Sequence, residues 1–190
     1  MKIITKELKP SFWNDLEILF GSNGACGGCW CMSWRTEKGE NWENIKGNNA
    51  KNRFKKLVTS GKAHGVLAYA DGVPVGWCSF DRRKDYPKLD RAPSFKCTDA
   101  NDVGSIPCFF VKNGYRGKGI AGKLLEHAEK VMKKMKFKIL EGYPVKPSKA
   151  YKDKIPAAFA WTGTQPLFLK AGFEIVGNKT GGKQRVRKKL

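Results

Sequence analysis

Two rhythms of apolar and polar residues run along the chain, and the switches between them mark its elements. Period-two alternation over residues 2–7 and β-rich runs over 64–70 and 73–80 predict strands, the last two joined at Asp71-Gly72, residue types suited to a tight hairpin turn. Helical spacing appears in Phe12, Leu16, Leu19 and Phe20, and again in Phe54, Leu57 and Val58 of a helix over 50–60 that Gly61 stops. It is clearest in Leu124, Leu125, Ala128, Val131, Met132 and Met135. A strand over 105–111 precedes this third helix and another over 138–143 follows it, so the pair runs parallel through a helical crossover. A short helix starts at Thr164 or Gln165 with Pro166 just inside it, and 173–176 and 184–188 predict a final hairpin joined by a Gly-rich turn. Residues 41–49 read as a polar loop and 81–104 as a long surface excursion. The order implies an α/β chain on a mixed sheet, folded as a single domain over 1–190.

Between the central strand and its helix lies Lys112-Asn-Gly-Tyr-Arg-Gly-Lys-Gly-Ile-Ala-Gly-Lys123. Gly117, Gly119 and Gly122 let such a turn approach a ligand with its N–H groups inward, at the positive end of the helix dipole. Arg116, Lys118 and Lys123 add charge for a pyrophosphate. Three motifs overlap here. Gly117-x-Gly119-x-x-Gly122 matches a dinucleotide fingerprint, with Glu141 near the ribose-binding spacing. Five residues, 112–116, separate it from its strand, however, and the 49 residues after Glu141 hold no further strand-helix-strand unit. Gly117-x4-Gly122-Lys123 approaches a P-loop but has Leu124 where a hydroxyl should hold Mg²⁺.

The third reading, Arg116-Gly-Lys-Gly119-Ile-Ala121, resembles the R/Q-x-x-G-x-G/A turn of the GCN5-related N-acetyltransferase (GNAT) superfamily, which binds the pyrophosphate of acetyl-coenzyme A (acetyl-CoA). Thr162-Gly-Thr-Gln-Pro-Leu-Phe-Leu-Lys-Ala-Gly-Phe173 resembles that superfamily's closing helix, about fifty residues further on and in the right order. The resemblance implies the GNAT fold, a mixed sheet of about seven strands with strands 4 and 5 splayed and about four helices. It implies acetyl-CoA as co-substrate, held by Arg116, Gly117, Lys118, Gly119, Ile120 and Ala121, with its pantetheine arm along the backbone of Phe109, Phe110 and Val111. It also implies a bulge beside the acetyl group, a distortion that Pro107 independently calls for because it cannot donate to a sheet ladder.

The implied reaction is direct attack of a primary amine, on a small molecule or peptide, upon the thioester. Here the chain departs from many relatives. Ser105 stands where several carry a glutamate base, and Phe168 where many carry a tyrosine that protonates the leaving thiolate. Glu141 becomes the candidate base and Tyr143 the candidate proton donor. Residues 143–156, rich in lysine and proline, are placed to flap over the acceptor site.

Charge and cysteine content widen the picture. A formal net charge of +20 attracts polyanions, so a basic nucleic-acid-binding module on the same fold, using Trp30, Trp34 and Trp161, is the rival reading. Cys26, Cys29 and Cys31 could begin a metal site but lack a fourth ligand, so no metal is assigned. Six cysteines, no signal peptide and no apolar run of about twenty residues lead to the expectation of free thiols in a cytoplasmic protein, a monomer or homodimer, away from membranes.

Overall fold

A computed structural model describes residues 1–147, 155, 159–177 and 183–190. Its architecture grows from the hairpin of β2 (His64–Ala70) and β3 (Val73–Arg82), whose turn residues Asp71 and Gly72 both lie at positive φ, +47° and +87°. The hairpin pairs with β1 (Ile3–Glu7) on one side and β4 (Val103–Val111) on the other, all antiparallel. From β4 the chain passes through α5 (Ile120–Lys134) and returns as β5 (Ile139–Gly142), parallel to β4. β6 (Glu174–Val176) and β7 (Arg185–Lys189) complete a seven-stranded mixed sheet in the order β1-β2-β3-β4-β5-β7-β6.

Alternation along the strands builds two cores. Val66, Ala68, Cys78 and Phe109 face α5, which turns Ile120, Leu124, Leu125, Ala128, Val131 and Met132 inward. Leu67, Tyr69 and Trp77 face the opposite layer, formed by α1 (Trp13–Phe20) and α3 (Asn48–Thr59). Burial of these faces out of water is the main attraction holding the layers together.

β4 is irregular in two ways, and both create the site. Ser79 pairs with Cys108 and Asp81 with Ser105, so Ile106 and Pro107 together oppose Phe80: the expected bulge is at the proline. Pairing of β4 with β5 runs only from Val103↔Ile139 to Ile106↔Gly142, and beyond it the two strands part.

The structure corrects several expectations. Six helices are described rather than about four, because single-turn helices occur at α2 (Trp42–Ile45), where Asn41 caps the Glu43 amide, and α4 (Lys88–Arg91). Residues 81–104 are not a surface excursion, since Tyr86, Leu89 and Phe95 pack with Trp34 and Tyr143 into a third core. β7 sits between β5 and β6, so the closing hairpin is folded into the sheet by its second strand. The flap and the closing turn fall largely outside the described residues. Among those described, no helix is long and apolar enough to cross a membrane.

Where the strands part, the first turn of α6 (Gln165–Lys170) fills the floor with Phe168, fully buried against Gly142 and edge-on to Phe109 at 5.9 Å between centroids. A Cβ on Gly142 would stand 2.3 Å from the Phe168 ring. Gly142→Ala is therefore expected to lower unfolding free energy by about 1–3 kcal/mol. Phe168→Leu in the same chain should recover part of the loss, as measured by urea denaturation of the double-mutant cycle.

Candidate active site

The turn after β4 is held in shape by its own chain. Gly114, Gly117 and Gly119 take φ of +81°, +74° and +75°, and the Arg116 Nε–H donates to the carbonyl of Val111 at 3.0 Å. A Cβ at any of these three positions would meet open space, so the glycines answer a backbone requirement rather than crowding. Among the described residues, no acceptor takes up the amides of Arg116 to Ala121. The first turn of α5 carries no acidic residue, while Arg116, Lys118 and Lys123 stand exposed around it. Free N–H groups and the helix dipole thus face the same way without internal neutralisation.

That turn forms one end of a cavity of 1220 Å³. Phe109 and Val111 line its middle, and Trp161, Gly163, Thr164 and Leu167 its far wall. Because Lys112 donates to Val75 of β3, alternation turns the N–H and C=O groups of Phe109 and Val111 away from β3, into the gap. Of the nine residues expected to contact the co-substrate, Phe109, Phe110, Val111, Arg116, Gly117, Gly119, Ile120 and Ala121 line the cavity. Lys118 stands off it, its Nζ over the Tyr115 ring at 5.4 Å. Tyr115, Gly122 and Trp161 also line it, and of these only Gly122 had a signal in the motif.

The candidate acid–base pair lies elsewhere. The Tyr143 hydroxyl donates to Glu141 Oε1 at 2.7 Å and meets the Ser105 hydroxyl at 2.7 Å, but both residues are fully buried and neither lines the cavity. Glu141 is taken up by cations: the Arg187 Nε–H donates to Oε2 at 2.6 Å, and Arg83 Nε lies 3.5 Å from Oε1. Arg187 in turn makes a bidentate pair with Asp99, whose carboxyl it holds down at about 2. Burial, reinforced by Glu141, pushes the Tyr143 phenol well above its usual range. This geometry ties β5 to β7 and offers neither group to a ligand.

A second charged knot fastens the cysteine-rich loop. Arg35 is paired with Asp81 of β3 and lies over the Tyr86 ring, while the His64 Nδ1 meets the other Asp81 oxygen at 2.5 Å. The hydrogen bond to Asp81 raises the His64 pKa against the opposing effect of burial. With the loop in place, Cys31 Sγ lies 3.8 Å from Cys108 Sγ and accepts from the Trp77 indole N–H at 3.0 Å. Cys29 is pushed up to about 12 by burial, and Cys26 reaches the cavity. Among the described residues, no three His, Cys, Asp or Glu side chains are grouped to hold a metal. Trp30 and Trp34 are only 5% and 8% exposed, so neither is available for stacking nucleobases.

Residues 29–149, more than half of the chain, match the model of the Acetyltransferase (GNAT) family. The chain belongs to the GNAT family. No curated protein sequence matches it. Solved structures share this GNAT fold at low identity. An N-acetyltransferase from Staphylococcus aureus Mu50 has 14% identity and a TM-score of 0.57, covering 100% of this chain and 99% of its own. The PaiA N-acetyltransferase of Thermoplasma acidophilum, in complex with coenzyme A, has 16% identity and a TM-score of 0.50, with full coverage of both chains (100% and 100%). YncA of Salmonella typhimurium, solved with its cofactor acetyl-CoA, has 13% identity and a TM-score of 0.54, covering 99% and 94%.

Glu141→Gln removes one of two carboxylates from Arg187 and from Arg83, which keep Asp99 and Asp90, and should cost about 1–3 kcal/mol in denaturant melts. The His64 pair gives a pH signature. A raised folded-state pKa means the stabilisation is complete below His64's ordinary 6.5 and fades as pH rises through the raised value. The stability gap between the parent and His64→Ala is therefore expected to shrink as pH rises. His127, whose pKa burial lowers, contributes with the opposite sign to both proteins and cancels in this difference.

Proposed function

We propose that this GNAT protein transfers the acetyl group of acetyl-CoA to a primary amine by direct attack on the thioester. The observation that carries the reading is the coincidence of unbonded amides at Arg116–Ala121, a cavity beside them and a sheet edge opened at Val111. A pyrophosphate suits the first, with Arg116 adjoining. An extended pantetheine arm, itself an amide chain, suits the second, since the outward N–H groups of Phe109 and Val111 and the C=O of Phe109 present a strand edge to it, while Arg116 holds the Val111 carbonyl.

The neutral acceptor amine attacks the carbonyl, the carbon–sulfur bond breaks, and coenzyme A leaves as the thiol. A backbone N–H at Phe109 or Val111 polarises the carbonyl as charge moves onto its oxygen. Phe168 is a buried floor residue and Ser105 bonds Tyr143, so neither supplies the acid or base found in many relatives. We read Glu141 and Tyr143 as positioning residues that hold β5 at its parting from β4. On this reading rate comes mainly from orientation and from the fixed backbone dipoles, with protons exchanged through water.

Acetyl-CoA at about a hundred times its Kd should stabilise the protein by about 2.7 kcal/mol, raising its melting temperature by roughly 5–10 °C. Gly119→Glu, which places a carboxylate against the pyrophosphate position, should abolish the shift. Release of free thiol on adding a primary amine to protein and acetyl-CoA identifies the acceptor class. Absence of any thermal shift with acetyl-CoA overturns the reading.

A further inference from the structure

Lys183 occupies an unusual position for a lysine in so basic a chain. Its backbone is bridged to Val145, which also hydrogen-bonds Gln165 and Gly163, the latter on the far wall of the cavity. The side chain is half-buried, and its ammonium sits 3.9 Å from the ring centre of Trp161 and 5.5 Å from that of Trp34. Trp161 lines the cavity, so this amine lies against a residue of the cavity wall, at the end of a flexible four-carbon side chain.

The surroundings suit an amine that must be both held and deprotonated. Two indole faces attract a cation and exclude water. Burial, with Lys88 of α4 nearby, brings the Lys183 pKa down to about 8, and the Cys108 thiol just past the bulge is near enough to oppose that shift. Relative to an ordinary lysine near 10.4, this raises the free-base fraction at neutral pH by about two orders of magnitude. The Trp34 indole N–H is buried without a hydrogen-bond partner among the described residues, so this pocket keeps a donor unused.

We propose that Lys183 is a self-modification site: its Nζ accepts the acetyl group from acetyl-CoA bound to the same chain. The inference rests on the acyl-transfer reading above. The amine nitrogen bonds to the thioester carbonyl carbon, the carbon–sulfur bond breaks, and the proton lost by nitrogen is taken up by the departing thiolate. The products are an acetamide at Lys183 and free coenzyme A. Acetylation replaces the cation over Trp161 by a neutral amide, removing one positive charge from the pocket.

Incubation of the purified protein with acetyl-CoA, followed by intact-mass and peptide-level mass spectrometry, tests this. The expected result is a single acetyl group on Lys183, formed at least about tenfold faster than on any other lysine, at a rate that saturates with acetyl-CoA. Gly119→Glu should lose the mark, and Lys183→Arg should lose it while keeping the thermal shift with acetyl-CoA. Acetyl groups scattered over many lysines at rates linear in acetyl-CoA overturn the proposal. So does an unmodified Lys183 in protein that acetyl-CoA stabilises, an outcome that leaves the functional reading standing. Loss of both the mark and the thermal shift removes the two together.

Discussion

Backbone N–H and C=O groups withdrawn from water need partners, and a sheet normally supplies them from the next strand. Between β4 and β5 that supply stops at Ile106↔Gly142, which leaves the outward groups of Phe109 and Val111 turned to a cavity. The rest of the architecture serves this interruption. Pro107 bends β4 at the point of parting, Phe168 plugs the floor below it, and the Arg116 side chain takes up the last carbonyl of the strand, Val111. A site of this kind is a stretch of strand edge kept open by the elements around it.

Keeping β5 in place without β4 along its full length requires another anchor. Glu141 supplies it, drawing Arg187 of β7 and Arg83 from the end of β3 toward one buried carboxylate, with Tyr143 and Ser105 completing its shell. A buried ion pair is often no stronger than a well-packed apolar substitute. Its value here is directional, because hydrogen bonds to the Glu141 carboxylate, with the Ser105–Tyr143 bond beside it, fix β5 against β7 and β4 in a way that interchangeable methyl groups would not.

The parts legible in the sequence were those that depend on local pattern. The hairpin at Asp71-Gly72, the inward stripe of α5, the glycine turn and the bulge at Pro107 all follow from residue types within a few positions of one another. Residues 81–104 were misread because charge and proline suggested a surface loop, whereas Tyr86, Leu89 and Phe95 find their partners in Trp34 and Tyr143, far away in the chain. Glu141 shows the same limit. A carboxylate ending a strand beside the presumed site reads as a base until its arginine partners, 46 and 58 residues away, are seen to claim it. The position of β7 inside the sheet likewise depends on pairings that no local pattern encodes.

The strand order bears on how the molecule assembles. β2, β3 and β4 each pair with the next strand in the chain, whereas β1 meets β2 only across residues 8–63 and β5 meets β7 only across residues 143–184. Closure entropy grows with the length enclosed, and ordering of distant segments comes late when nearer contacts are available. The β2–β3–β4 meander therefore suits the role of folding nucleus, and the groove would acquire its second wall only in the final stage of folding.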